Sequence, residues 1–131
     1  MVNDPIGDFI IRIKNAGAVH KESISMPFSK MKLAIAEMLS AKGYIGDVTK
    51  RNKGNAKYLN IALLYVKDGS PVISGVRRMS KPSRRLYEGA KNIRRFRRGF
   101  GLSIFSTPKG IMADIDARKN NVGGEFLFNI W

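Results

Sequence analysis

With 131 residues, 44% hydrophobic and 26% charged, the chain has globular composition, and its formal net charge of +14 points to an anionic partner before any motif is considered. The absence of cysteine excludes a disulfide framework and a thiolate metal site, and a lone histidine, His20, excludes a zinc site built from imidazoles within one chain. No apolar run approaches the roughly 20 residues a spanning helix needs, and the first residues lack a basic-then-apolar signal, so the cytoplasm is the expected compartment, with neither membrane nor cofactor implied.

Asp4-Pro5 sets a capping side chain before a proline at the first helical position, and Ile6, Phe9, Ile10 and Ile13 follow as one apolar stripe. That spacing predicts a helix, with Gly17 as its expected end. Ser23 to Met26 alternates as a short strand would, and Pro27 closes it. A second helix is expected after a Ser29 cap: Met31, Ala34, Ile35, Met38 and Leu39 form its buried face, and Gly43 sits where a left-handed terminator belongs. Lys30 and Lys32 fall in its first turn. The β-rich runs Tyr44–Val48 and Tyr58–Val66, joined by a polar stretch, predict an antiparallel hairpin. Lys67-Asp68-Gly69-Ser70-Pro71 is the strongest turn signal and the expected boundary between an N-terminal half, 1–67, and a C-terminal half, 68–131. Beyond it, strands are expected at Pro71–Val76, Arg84–Tyr87, Leu102–Phe105 and Glu125–Trp131, with a basic helix over Lys91–Arg97 and another from near Asp114 or Ile115 to about Lys119. The fold class is α+β: two closely packed α/β subdomains, the first mixing helix and strand, the second mostly β with short helices.

Four features carry chemistry. Between Arg77 and Arg98 stand ten Lys or Arg residues against one acid, Glu88, so this segment alone holds nine of the fourteen excess charges. Cations packed so densely repel one another unless a polyanion offsets them, and phosphate is the natural candidate. Leu86, Tyr87, Ile93, Phe96 and Phe100 are interleaved with them, which marks a folded surface and not a solvated tail. Tyr87, after Arg84 and Arg85, either edges the core or stacks on an unpaired base. Ser106-Thr107-Pro108-Lys109-Gly110 is either an ordinary turn or a small-residue loop that approaches a phosphodiester and hydrogen-bonds to it. It lacks the Gly-x-x-x-x-Gly-Lys-Ser/Thr spacing of a P-loop. Gly123-Gly124 before Glu125 fits a bulge, or a device that turns Glu125 toward the hydroxyl loop.

Several separated blocks resemble one family, the eighth protein of the bacterial small ribosomal subunit. The blocks are Asp4-Pro5-Ile6, Arg12-Ile13-Lys14-Asn15-Ala16, Pro27, Ser29-Lys30, Lys32, Ile35-Ala36 and Gly43-Tyr44-Ile45. They continue with Arg78, Ser80, Pro82, Arg85 and Tyr87, then Ser106-Thr107, Lys109-Gly110 and Gly123-Gly124-Glu125. The resemblance implies a two-part α/β protein that binds the central domain of small-subunit ribosomal RNA, joins early in assembly beside neighbouring small-subunit proteins and, in some members, represses its own operon by binding a messenger mimic. It also implies residue roles. Ser106, Thr107, Lys109 and Gly110 would contact the RNA core, Tyr87 would pack on an exposed nucleotide, and Glu125 would support the loop or meet a base donor. Arg84 and Arg85 adjoin that site. Lys30 and Lys32, with Arg12 and Asn15, would hold a second stretch of backbone. Two departures stand out: Pro108 replaces a common second serine, and Lys91, Arg94, Arg95, Arg97 and Arg98 make a surface more basic than is usual, with room for a wider footprint.

Recognition of an A-form helix falls to shape, 2′-hydroxyls and unstacked bases, a task suited to hydroxyl-bearing loops flanked by cations. The rival from another class is a magnesium-dependent nucleic-acid enzyme using Asp114, Asp116 and Lys109. Two carboxylates in a first helical turn are ordinarily dipole complement and cap, and no His or Cys nearby supplies a base or nucleophile. An anionic-membrane binder would need a longer amphipathic helix than the basic segment offers.

Overall fold

The computed structural model describes residues 4–96 and 101–131. The first helix, α1, spans Pro5–Ala18, and the Asp4 carboxylate accepts the Gly7 N–H at 3.1 Å, so the capping side chain and the N1 proline act as the sequence implies. Its stripe of Ile6, Phe9, Ile10, Ile13 and Ala16 is buried. Gly17 does not end it. The helix runs one residue further and stops where His20 takes a left-handed φ of 57°, with His20 N–H bonded to the Gly17 carbonyl and Lys21 N–H to that of Ala16. Gly17 instead packs closely on Pro71: an added Cβ there would stand 3.3 Å from it, so the proline would have to give.

The same stop recurs twice. Helix α2, Lys30–Ala41, starts at Ser29, whose hydroxyl accepts the Lys32 N–H at 3.0 Å, and ends on Gly43 at φ 85°, with Tyr44 N–H reaching back to Leu39. Helix α3, Asp114–Lys119, ends on Asn121 at φ 54°, with Val122 N–H bonded to Ala117. Each is a Schellman closure, which satisfies the last carbonyls and needs one left-handed residue.

Two compact units make up the chain: Asp8–Ser74, and Gly75–Trp131 with the N-terminal residues through Gly7. The turn at 67–71 lies inside the first. That unit holds an antiparallel sheet in the order β1-β3-β2, with β1 at Ser23–Pro27, β2 at Val48–Lys53 and β3 at Ala56–Ala62. Met26, Leu59 and Ile61 are buried on one sheet face, in a core that also takes Phe9, Ile10 and Ile13 of α1 and Ile35, Ala36 and Leu39 of α2. The expected hairpin exists but is displaced. Its first strand occupies the polar stretch assigned to the loop, and the connection is only Gly54-Asn55, with Gly54 at φ 63°. Every β2 residue after Val48 is exposed, so no hydrophobic alternation marks it.

The second unit holds a five-stranded antiparallel sheet. Its strands are β4 (Val76–Arg78), β5 (Tyr87–Glu88), β6 (Leu102–Thr107), β7 (Gly110–Ala113) and β8 (Gly124–Ile130), in the order β4-β8-β6-β7 with β5 also on β8. β4 and β5 share one edge of β8, pairing with residues 128–130 and 124–125 respectively. Residues 79–86 form an excursion between them, closed by reciprocal Lys81–Arg84 backbone bonds at 2.9 Å. The strands expected at 71–76 and 84–87 are therefore shorter and later. β7 has no sequence signature of its own, because its four residues follow the turn so closely that they resemble its continuation. The basic helix expected over Lys91–Arg97 is, among the described residues, a 3₁₀ turn at Ala90–Asn92 that ends in extended backbone at Ile93; Arg97 lies outside the described residues. Ile93, Phe105 and Ala117 form a buried cluster, with Met112, Val122 and Phe126 packed on it.

Candidate nucleic-acid interface

Strand register builds the site. Tyr87 pairs with Glu125, Glu125 with Ser106, and Ser106 with Ile111, so Tyr87, Glu125 and Ser106 form one transverse row on adjacent strands of the sheet. Side chains directly opposite in neighbouring strands project to the same face, at Cβ separations of about 4.5–5.5 Å. A shallow cavity of about 600 Å³ lies over this row, lined by Tyr87, Glu88, Ser106, Thr107, Pro108 and Glu125 with Gly89, Gly123 and Gly124. Tyr87 is 70% exposed, which settles it as a surface residue and not a core-edge one.

The paired glycines make the row possible. A Cβ on Gly124 would overlap the Ser106 carbonyl oxygen, and one on Gly123 the Glu88 carbonyl oxygen, so only glycine lets β8 enter between β5 and β6. The irregularity of pairing lies further along, between Ile104 and Phe105 opposite Leu127, and the glycine pair itself brings Glu125 opposite Ser106.

Glu125 is held from two sides. Its Oε2 accepts from the Ser80 hydroxyl at 2.5 Å and from Arg85 Nη1 at 3.0 Å. Burial pushes its carboxyl pKa upward, but the Ser80 hydrogen bond and the Arg85 hydrogen bond and charge, aided by Arg78, outweigh it, and the net shift is downward. Ser80 is fully buried, and its oxygen also accepts the Leu86 N–H at 3.2 Å. One hydroxyl thus pins both ends of the 79–86 excursion and the carboxylate beside it. Sequence reasoning placed Ser80 only in a motif; its role depends on a contact 45 residues away. Beneath this, the Arg78 guanidinium meets Asp4 at 2.8 Å, its Nε and Nη1 have no hydrogen-bond partner among the described residues, and burial lowers its pKa.

The 106–110 segment is a two-residue hairpin connection, with Thr107 paired to Gly110. The Thr107 hydroxyl donates to the Gly110 carbonyl at 2.8 Å and accepts the Lys109 N–H at 3.1 Å, so the turn uses its proton and leaves it a spare lone pair. Proline at the second position and glycine at the fourth suit such a turn, and the missing N–H of Pro108 costs it nothing. Ser106 lines the cavity with a hydroxyl that has no hydrogen-bond partner among the described residues, and Lys109 and Gly110 are exposed at the tip.

Arg84 and Arg85 are exposed at the end of the excursion, next to Tyr87. Arg94 and Arg95 line an adjoining groove of about 310 Å³ that shares Glu88 with the first. The cationic segment and the hydroxyl turn therefore meet on this unit, while Arg97 and Arg98 lie outside the described residues. In the other unit, Arg12 and Asn15 line a groove of about 460 Å³ with Lys21, Ser23 and Ser25, and Arg12 also pairs with Asp8 at 2.9 Å. Lys30 is exposed. Lys32 is 8% exposed and its ammonium donates to the Pro27 carbonyl at 3.4 Å, which leaves it little surface for a phosphate. The metal-site alternative loses its key ligand: Asp114 is 2% exposed, with its two oxygens taking the Phe96 and Ile115 N–H groups at 2.7 and 2.9 Å.

The family described as ribosomal protein S8 matches residues 4–131. The chain is similar to small ribosomal subunit protein uS8 of Chloroflexus aggregans, with 48% identity over 131 residues covering 99% of this chain and 98% of the relative. The protein of the same name from Rhodopseudomonas palustris is 48% identical over 130 residues, 98% of each chain. That from Persephonella marina is 46% identical over 136 positions, covering both chains in full.

Proposed function

The chain belongs to the ribosomal protein S8 family, and we propose that it works as a structural constituent of the small ribosomal subunit whose RNA is gripped by the Tyr87–Glu125–Ser106 row. It is not an enzyme; the family is one of ribosomal constituents. It binds ribosomal RNA in company with other small-subunit proteins, in the ribosome of the cytoplasm. The target within that RNA is an irregular helix of the central domain, where distortion exposes base edges and 2′-hydroxyls.

The observation that carries this reading is the row itself. A base stacks on the ring of the exposed Tyr87, the Ser106 hydroxyl and the spare Thr107 lone pair meet groove-edge donors and acceptors, and Glu125 accepts an amino or hydroxyl proton. A carboxylate among so many cations lowers general affinity for RNA, so it pays only where a donor on the ligand meets it. Arg84, Arg85, Arg94, Arg95 and Lys109 neutralise flanking phosphates, and Arg97 and Arg98 extend their run in sequence. Exposed Lys30, with Arg12 and Asn15, takes a second stretch of backbone; Lys32 serves chiefly to tie α2 to the Pro27 carbonyl. A messenger segment folded like the ribosomal target would enter the same groove, and its capture there would repress translation of the operon.

Chemical footprinting of small-subunit ribosomal RNA with the purified protein tests ligand and site together. Protections should cluster in one irregular helix of the central domain. Tyr87→Ala should erode discrimination between that RNA and a scrambled duplex by about 1–3 kcal/mol. Equal losses on both RNAs would reduce Tyr87 to a contributor of general affinity.

A further inference from the structure

Within the row above, Glu125 engages only one of its two carboxylate oxygens. Oε2 accepts from both the Ser80 hydroxyl and Arg85 Nη1, while Oε1 has no hydrogen-bond partner among the described residues, and the residue lines the cavity it shares with Tyr87 and Ser106. The groups that hold Glu125 differ in how firmly they are themselves fixed. Ser80 is fully buried, and the Arg78 guanidinium, 12% exposed, adds its charge from beneath. Arg85 lies at the surface, with its side chain 49% exposed against 15% for that of Glu125.

Of these three groups, Arg85 is therefore the one a ligand can reach and draw away. A half-exposed ion pair is a weak contact, and phosphate is a bidentate acceptor well matched to a guanidinium. Losing Arg85 does not unseat Glu125, because the Ser80 hydroxyl and the Arg78 charge stay in place. Yet a phosphate cannot approach Arg85 without approaching Glu125, whose Oε2 stands 3.0 Å from Nη1. Two anions brought that close repel, and the repulsion is stronger where water is partly excluded. It is offset when the same ligand presents an N–H or O–H to Oε1. Arg84, one residue earlier, is the contrast: it is exposed and has no ion pair among the described residues, so any phosphate can take it.

Resting on the RNA-binding reading above, we infer that Arg85 is the specificity-determining cation of the site. Glu125 withholds it from arbitrary phosphates, and Arg85 changes partner from Glu125 to an RNA phosphate only when the same RNA brings an amino or 2′-hydroxyl donor to Glu125 Oε1. A nucleotide stacked on Tyr87 puts such a donor within reach, since Tyr87 and Glu125 are paired across β5 and β8. A regular duplex offers no donor there and leaves Arg85 on Glu125. One correctly placed donor thus acts twice, through its own hydrogen bond and through the phosphate contact that it releases.

Salt dependence reads this exchange, because each cation that meets a phosphate adds about 0.7–0.9 to the log-log slope of binding against salt. Filter-binding titrations across salt concentrations use the full chain with small-subunit ribosomal RNA and with a scrambled duplex, and urea midpoints check that each variant is folded. Arg85→Gln should lower the slope on ribosomal RNA by one such step and leave the duplex slope unchanged. Arg85→Lys, which keeps the charge, should restore the ribosomal slope, and Arg84→Gln should lower both slopes. Glu125→Gln frees Arg85 and should raise the duplex slope by one step, a gain that Arg85→Gln in the same chain removes. Should Glu125→Gln not fold, the Arg85→Gln comparison decides alone. Arg85 loses this role if Arg85→Gln lowers both slopes alike or lowers neither, or if folded Glu125→Gln leaves the duplex slope where it was, while the main site stands. A wild-type protein with no preference for ribosomal RNA over the duplex would overturn the function itself.

Discussion

Glu125 shows how much one side chain can depend on distant partners. Its ordinary pKa of 4.5 is lowered in the fold, because the Ser80 and Arg85 contacts outweigh the effect of burial. A carboxyl whose folded pKa lies below its unfolded one stabilises the protein when ionised; that contribution is complete above the unfolded value and disappears as the pH falls through the folded value. Glu125→Gln should therefore lower the urea midpoint at pH 7, and the gap from wild type should close as the pH is taken down through and below 4.5. A gap that stays constant to pH 3 would mean that the charge of Glu125 contributes nothing to stability. The chain names Glu125 as a candidate through its position after two glycines, but nothing in the order of residues says that a buried serine 45 positions earlier fixes its geometry. Tyr87 was equally undecided from sequence, since its neighbours suit a core edge and a surface alike; only strand pairing put the ring outside.

At the level of elements, helices were the most legible because their signals are local. Asp4 and Ser29 cap through side chains three residues from the N–H they accept, and Gly43 terminates as its type suggests. The terminators His20 and Asn121 were missed, since neither advertises a left-handed backbone as glycine does, although both types are enriched there. Gly43 offers a clean measurement of what such a stop is worth. A Cβ there would meet no atom within 4 Å, so Gly43→Ala should cost about 1 kcal/mol from backbone conformation alone, read as a shift in urea midpoint. No loss would mean that the α2 terminus readjusts without strain. Strands were harder. β2 is exposed after Val48, and β4, β5 and β7 are two to four residues long, too short for alternation to register.

For the molecule as a whole, charge sets affinity and geometry sets identity. If about six phosphates are neutralised, the binding constant should fall with salt at a log-log slope of about four to five. Changing Arg94, Arg95, Arg97 and Arg98 together to Ala should flatten that slope while site preference persists, as measured by filter-binding titration across salt concentrations. An unchanged slope would remove this segment from the interface. The sequence by itself determined the α+β class, the helix starts, the polyanionic character of the partner and, through its motif blocks, the family, because composition, capping and spacing are properties of neighbouring residues. The tertiary structure alone decided that Tyr87, Glu125 and Ser106 stand in one row, that the Thr107 proton is spent within its own turn, and that Lys32 is buried and Asp114 committed to backbone amides. Those facts follow from strand register and from contacts between residues far apart in the chain. A shift of one position in that register would turn each strand side chain to the opposite face, and where no tight turn joins the partners, as between β5, β8 and β6, no local pattern in this sequence sets it.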